Sequence, residues 1–149
     1  MSKVRPHMQT PMMVRGAAAL LAEFGSEWPH FHDAEVLRFA VERAPIPEVG
    51  EVMVSLLVHL RRYEPRGVGT VGYHQVLVKS VVVDFHFKGV EDLSVCDFNH
   101  QNVLEAISFS EGDGGAPVSV EVSGIYGFEG GWRCRTVEVV GVSKGPSEV

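Results

Sequence analysis

A chain of 149 residues is the length of one ordinary domain and can bury roughly 70% of the surface that its unfolded form exposes. With 45% hydrophobic and 21% charged residues, it falls outside disordered and fibrous compositions; two cysteines, Cys96 and Cys134, exclude a disulfide framework or a zinc ribbon of paired cysteines. The net charge of −6 is lopsided: from Asp84 to Glu129 there are nine acidic residues and one basic residue, Lys88, a balance that disfavours nucleic acid or an anionic membrane surface and favours a cationic partner.

A single domain over residues 1–149 is expected, structured over about 11–142, with flexible segments at 1–10 and 143–149. No signal peptide is read in "MSKVRPHMQTPMMVRGAAALLAEFG", and no apolar run reaches the roughly 20 residues that cross a bilayer. A reducing, cytoplasmic setting follows from the sparse cysteines.

In chain order, Pro11–Phe24 is rich in Ala, Leu and Met, ends at Gly25 and predicts one helix. From Ala34 the period changes to two. Leu37, Phe39 and Val41 share a face opposite Arg38 and Glu42, and the two prolines of "APIPEVG" end that strand. Val52, Val54, Leu56, Val58 and Leu60 alternate with Glu51, Ser55, His59 and Arg61, and "EPRGVGTVG" predicts a glycine-rich loop.

In "QVLVKSVVVDFHFKG" the residues Leu77, Val81, Val83, Phe85 and Phe87 form one apolar face. "LSVCDF" predicts another strand, and Asn99 and Asn102 of "NHQN" suit turn or left-handed positions. "VLEAISF" fits helix or strand equally. After the loop "EGDGGAP", Val118, Val120 and Val122 alternate with Ser119, Glu121 and Ser123. In "WRCRTVEVV", Trp132 and Cys134 have one parity and Val137 and Val139 the other, so a bulge near Arg135 and Thr136 would keep all four inward. About seven strands result, mostly consecutive. The expected fold is mainly β (α+β): a curled antiparallel sheet, sandwich or partial barrel, with the N-terminal helix packed on it.

Chemistry-bearing groups are few. In "WPHFHDAEV", His30 and His32 would share a face if they began a strand, and with His86 they could supply a metal site in a cupin-like, metal- or small-ligand-binding β-barrel. Ligand spacing for a third donor is missing, however, and the stretch reads better as a turn, with Asp33 accepting backbone N–H bonds and Trp28 and Phe31 anchored in the core. His59 and His86 would form a cross-strand pair if their strands register so. Cys134 lies between two arginines that alternation turns away from it, so an inert buried thiol is expected. No nucleophile elbow, phosphate loop or dinucleotide fingerprint occurs. No catalytic residue and no cofactor is assigned.

The stretches "FGSEWPHFHDAEVLRF", "VVVDFHFKGVEDLSVCDFNHQNVL" and "GIYGFEGGWRCRTVEVVGV" together resemble the immunity protein 50 family of bacterial polymorphic toxin systems. The likeness runs from about Leu20 to Val142 and is carried chiefly by "WPxFHDAEV" and "FNxQN"; His30 departs from it, standing where a small or polar residue is expected. The resemblance implies a small cytoplasmic protein, without turnover of its own, that binds and neutralises a cognate toxin domain. The expected toxin-facing residues are the acidic Glu91, Asp92, Glu111, Asp113 and Glu129, with Tyr126, Phe128 and Trp132 as candidate aromatic anchors; each of these aromatics could equally be core.

Overall fold

The computed structural model describes residues 10–44, 50–112 and 116–147. Two short helices, α1 (Thr10–Met13) and α2 (Ala17–Glu23), flank the two-residue strand β1 (Val14–Arg15). Eight further strands follow: β2 (Glu35–Arg43), β3 (Val52–Arg66), β4 (His74–Lys88), β5 (Glu91–Cys96), β6 (Val103–Glu111), β7 (Val118–Tyr126), β8 (Glu129–Cys134) and β9 (Thr136–Lys144). They form one open sheet in the order β1-β9-β4-β3-β2-β6-β7-β8-β5. Every neighbouring pair is antiparallel except β1 beside β9, so the sheet is mixed and the fold mainly β, as expected.

The sheet has two halves. One holds β1, β9, β4, β3 and β2; the other holds β6, β7, β8 and β5. They join through a single ladder pair, Glu35 with Val103, reinforced by backbone bonds from Asp33 N to Leu104 O (2.8 Å), Leu104 N to Ala34 O (2.8 Å) and Val36 N to Asn102 O (2.9 Å). At the far ends of the sheet, the β4–β5 and β8–β9 connections pass from one half to the other, and Arg135 N donates to Lys88 O at 2.9 Å where they meet. Held at both places, the sheet curls so that its inner faces meet.

Period-two alternation fills the space between the halves. Val54, Leu56, Val58 and Leu60 on β3, Val81, Val83, Phe85 and Phe87 on β4, and Val118, Val120 and Val122 on β7 are all buried. Aromatic rings meet across the gap: Phe87 lies 6.5 Å from Phe109 and 5.0 Å from Trp132, and Phe39 lies 5.0 Å from Phe128. Offset and edge contacts of this kind add to the burial of the rings themselves.

Several expectations are corrected. The single helix over 11–24 is broken, because Val14 and Arg15 pair in parallel with Val137 and Glu138, and Gly16 follows in a left-handed conformation (φ 73°). A Cβ at Gly16 would lie 2.5 Å from the Val139 carbonyl oxygen, so this close approach needs glycine. On β2 a register shift between Val36 and Arg38 turns Leu37 out, 46% exposed, while Val36 is buried; Val41, also 46% exposed, lies beyond the cover of the facing half. The loop expected at "EPRGVGTVG" is shorter, since β3 runs to Arg66. "VLEAISF" is a strand. At Arg135 the parity change is a break between two strands, not a bulge, and it leaves Trp132, Cys134, Val137 and Val139 all buried. The expected tail from 143 begins as sheet, with Ser143 and Lys144 paired to Val82 and Val81. Most of "APIPEVG", residues 45–49, lies outside the described residues.

Asn102 is the buried polar residue at the junction, 3% exposed. Its Oδ1 accepts from the backbone N–H groups of Asn99 (2.9 Å) and Phe128 (3.3 Å), and its Nδ2 donates to Asn99 O (2.7 Å). Neither Asn99 nor Asn102 takes the left-handed conformation; Asp97 does (φ 64°), and the asparagines shape the turn through their side chains. Because Asn102→Ala leaves both N–H groups without their acceptor, it should cost about 2–3 kcal/mol of stability in denaturant unfolding. A loss below about 0.5 kcal/mol would show that the turn closes without it.

Candidate functional site: an acidic outer face

Inner-face burial of alternate residues dictates what the outer face of the four-stranded half presents. With Val120 and Val122 inward, Glu121 and Ser123 stand outward on β7, beside Gly131 and Gly130 of β8. Glu105 stands outward on β6 within a register irregularity between Leu104 and Ala106. Glu129 opens β8 and pairs with Cys96 of β5. Glu105, Glu121 and Glu129 therefore line one shallow trough of about 580 Å³, together with Ser94 and Ser123.

The floor of the trough is bare backbone. Gly130 has φ 156°, and a Cβ there would fall 2.2 Å from the Ser94 carbonyl oxygen, so the β5–β8 approach admits only glycine. The three carboxylates are exposed, and no Lys or Arg among the described residues lies within ion-pair distance of them. Cys96, Asp97 and Glu129 bring their ligand atoms within 4.8 Å of one another, all exposed. Desolvation, with help from the Asp97 and Glu129 carboxylates, raises the Cys96 thiol above its usual pKa, which disfavours a reactive thiolate.

Beside the trough, Tyr126 is 60% and Phe98 47% exposed, with Ile125 adjacent. Phe98 stands edge-on to the buried Phe128 at 5.9 Å, so its ring is supported from the core.

The residues expected to face a partner are thus divided. Glu129 is in the trough and Tyr126 beside it. Glu91 and Asp92 instead flank Arg133, which lies 3.5 Å from Glu91 and donates from Nε to Asp92 at 2.9 Å; this one guanidinium offsets part of their charge. Glu111 lies six residues beyond Glu105 on β6, in a separate depression with Arg15 and Arg135. Asp113 lies outside the described residues. Trp132, 3% exposed and packed on Phe87, and the fully buried Phe128, packed on Phe39, are core, which corrects both as surface anchors. Glu105, Glu121 and Phe98 are additions. Glu121 was readable from the Val118–Val122 alternation, but Glu105 was hidden while "VLEAISF" fitted two structures.

Among the described residues no histidine belongs to a group of three or more side chains placed to hold a metal ion. His30 and His32 occupy a turn rather than a strand, with Phe31 buried beneath them. Asp33 there is left-handed (φ 67°), and instead of accepting backbone bonds its Oδ2 lies 3.2 Å from His32 Nδ1. His86 is on β4, 3.4 Å from Asp84. His59 and His86 do not pair, because His59 registers with Val82 and His86 with Ser55. Cys134 is buried, and burial pushes its pKa up to about 12, so it is the inert thiol expected.

A model of the immunity protein 50 family matches residues 16–145. The chain belongs to that family. No curated protein and no solved structure matches it significantly. No described helix of this immunity-family chain is long and apolar enough to cross a membrane.

His59 supplies a pH test of the fold that carries this face. Its Nε2 lies 2.7 Å from Ser80 Oγ, and desolvation, followed by the Arg61 charge, lowers its pKa below the ordinary 6.5 against an opposing contribution from Glu35. The unfolded chain therefore takes up this proton at a higher pH than the folded one. The stabilisation is complete above pH 6.5 and is lost as pH falls below it toward the folded pKa. Replacing His59 by Gln should flatten that part of the profile, seen as a smaller drop in Tm between about pH 7.5 and about pH 5.5. An unchanged drop would assign the acid sensitivity to other groups.

Proposed function

We propose that this chain binds a cognate toxin domain in the cytoplasm and neutralises it by stoichiometric contact, through the outer face of the four-stranded half. Family membership supplies the general role. The single observation that carries the choice of surface is the trough, where Glu105, Glu121 and Glu129 stand together over a glycine floor without a counter-cation from the described chain. Carboxylates gathered in one trough favour a cationic partner, whose approach they accelerate. Tyr126 and Phe98 offer the apolar contact that holds such a partner after encounter.

The chain acts in this reading as a binder without turnover, and the toxin presents a basic surface, as a domain acting on nucleic acid does. The alternative of a cupin-like metal site draws no support from the histidines, since His30 and His32 share a turn with Arg61 nearby while His86 is held by Asp84.

Co-expression with the toxin domain encoded beside this chain should rescue growth and yield a co-purifying complex. Charge reversal at all three trough positions, E105K with E121K and E129K, should slow association about tenfold or more at low salt and remove most of its salt dependence. The fold should survive, because all three side chains are exposed. Association kinetics unchanged by the triple reversal would move the interface elsewhere.

A further inference from the structure

The turn carrying His30 and His32 borders the acidic face, since His30 and Glu105 line one depression, and on its other side it roofs a cleft. This cleft, of about 230 Å³, lies between that turn and β3; His30, His32, Arg61 and Arg62 line it over the apolar Phe24 and Leu60. Its volume is below the range of drug-sized ligand sites and suits a single small polar group.

The charges around it are unequal. Two guanidinium groups and two imidazoles face one lining carboxylate, Asp33, which is turned toward His32 and largely exposed. Glu23, the nearby carboxylate on α2, is bound to Lys79 at 2.9 Å. Arg62 is held over the Phe24 ring at 5.0 Å, a cation–π contact that leaves its N–H edge available.

Arg61 is the decisive group. Its Nη2 reaches the Asp33 carbonyl only at 3.4 Å, and its Nε is enclosed with no acceptor among the described residues. An enclosed donor without an acceptor is costly, and a guanidinium meets an oxyanion through a pair of N–H groups that can include Nε–H. Asp33 holds a left-handed backbone despite having a side chain, a strain that concentrates at ligand-binding turns.

From this arrangement we infer that the cleft is an oxyanion site, binding a carboxylate or phosphate group on Arg61 and Arg62 with His30 and His32 as further N–H donors from the turn. The site goes beyond toxin neutralisation and does not depend on it. It also gives the "HFH" stretch a role other than metal binding.

The test titrates the full chain, at fixed pH and ionic strength, with inorganic phosphate and separately with acetate. Calorimetry and the imidazole NMR signals of His30 and His32 report binding. Saturable binding that shifts both histidines is expected for at least one anion. Saturation by phosphate alone identifies a phosphate site, whereas saturation by both admits carboxylate ligands. Arg61→Gln should weaken binding at least about tenfold through loss of the paired donor. Arg66→Gln, further out on β3 and not lining the cleft, should leave binding unchanged. Should Arg61→Gln fail to fold, His30→Gln at the exposed rim replaces it and should weaken binding severalfold. Shifts that never saturate, or equal losses in Arg61→Gln and Arg66→Gln, would reduce the effect to general electrostatics and overturn the site.

Discussion

Everything in this fold depends on the junction where β2 meets β6. One ladder pair and three short backbone bonds join a five-stranded half-sheet to a four-stranded one, and Asn102 ties the preceding turn to Phe128 at the same place. Nine strands in a flat sheet would leave an apolar face in water. Bending at so narrow a junction lets the two inner faces cover each other, and the aromatic layer of Phe85, Phe87, Phe109 and Trp132 is the result. The crossing at Arg135 and Lys88 holds the other end of the curl.

The inner faces are consumed by the core, which leaves the outer ones to meet solvent or a partner. On the five-stranded half charges of both signs stand close together, as where Arg38 lies 3.6 Å from Asp84, which also lies near His86. On the four-stranded half, Arg133 offsets part of the charge of Glu91 and Asp92, and among the described residues no Lys or Arg pairs with Glu105, Glu121 or Glu129 around the glycine floor. For the binding proposed above, negative charge gathered on a strand face speeds encounter with a cationic partner.

Much of the architecture was legible in the sequence because burial on one face imposes a period of two. The inner residues of β3, β4 and β7 follow it without interruption, and the parity change before Val137 marked a discontinuity that proved to be a strand break. Misreadings arose where a distant partner overrode a local signal. Val14 and Arg15 left a helical context to pair with residues 137 and 138, and Leu37 turned out at a bulge that only the register with β3 defines. The acidic character of the second half was visible in composition. Which carboxylates remain unpaired was not, because Asp92 and Arg133 are 41 positions apart and meet only once β5 lies beside β8.

The central claim is that the outer face of β5, β6, β7 and β8 is the surface a toxin covers. Hydrogen exchange of the free chain against its complex with the co-expressed toxin domain measures this most directly. Slowed exchange over residues 94–98, around Glu105 and over 121–131, with the distal β3–β4 hairpin unaffected, is the predicted footprint. Protection confined to the outer face of the five-stranded half or to that hairpin, with the trough unchanged, would contradict it.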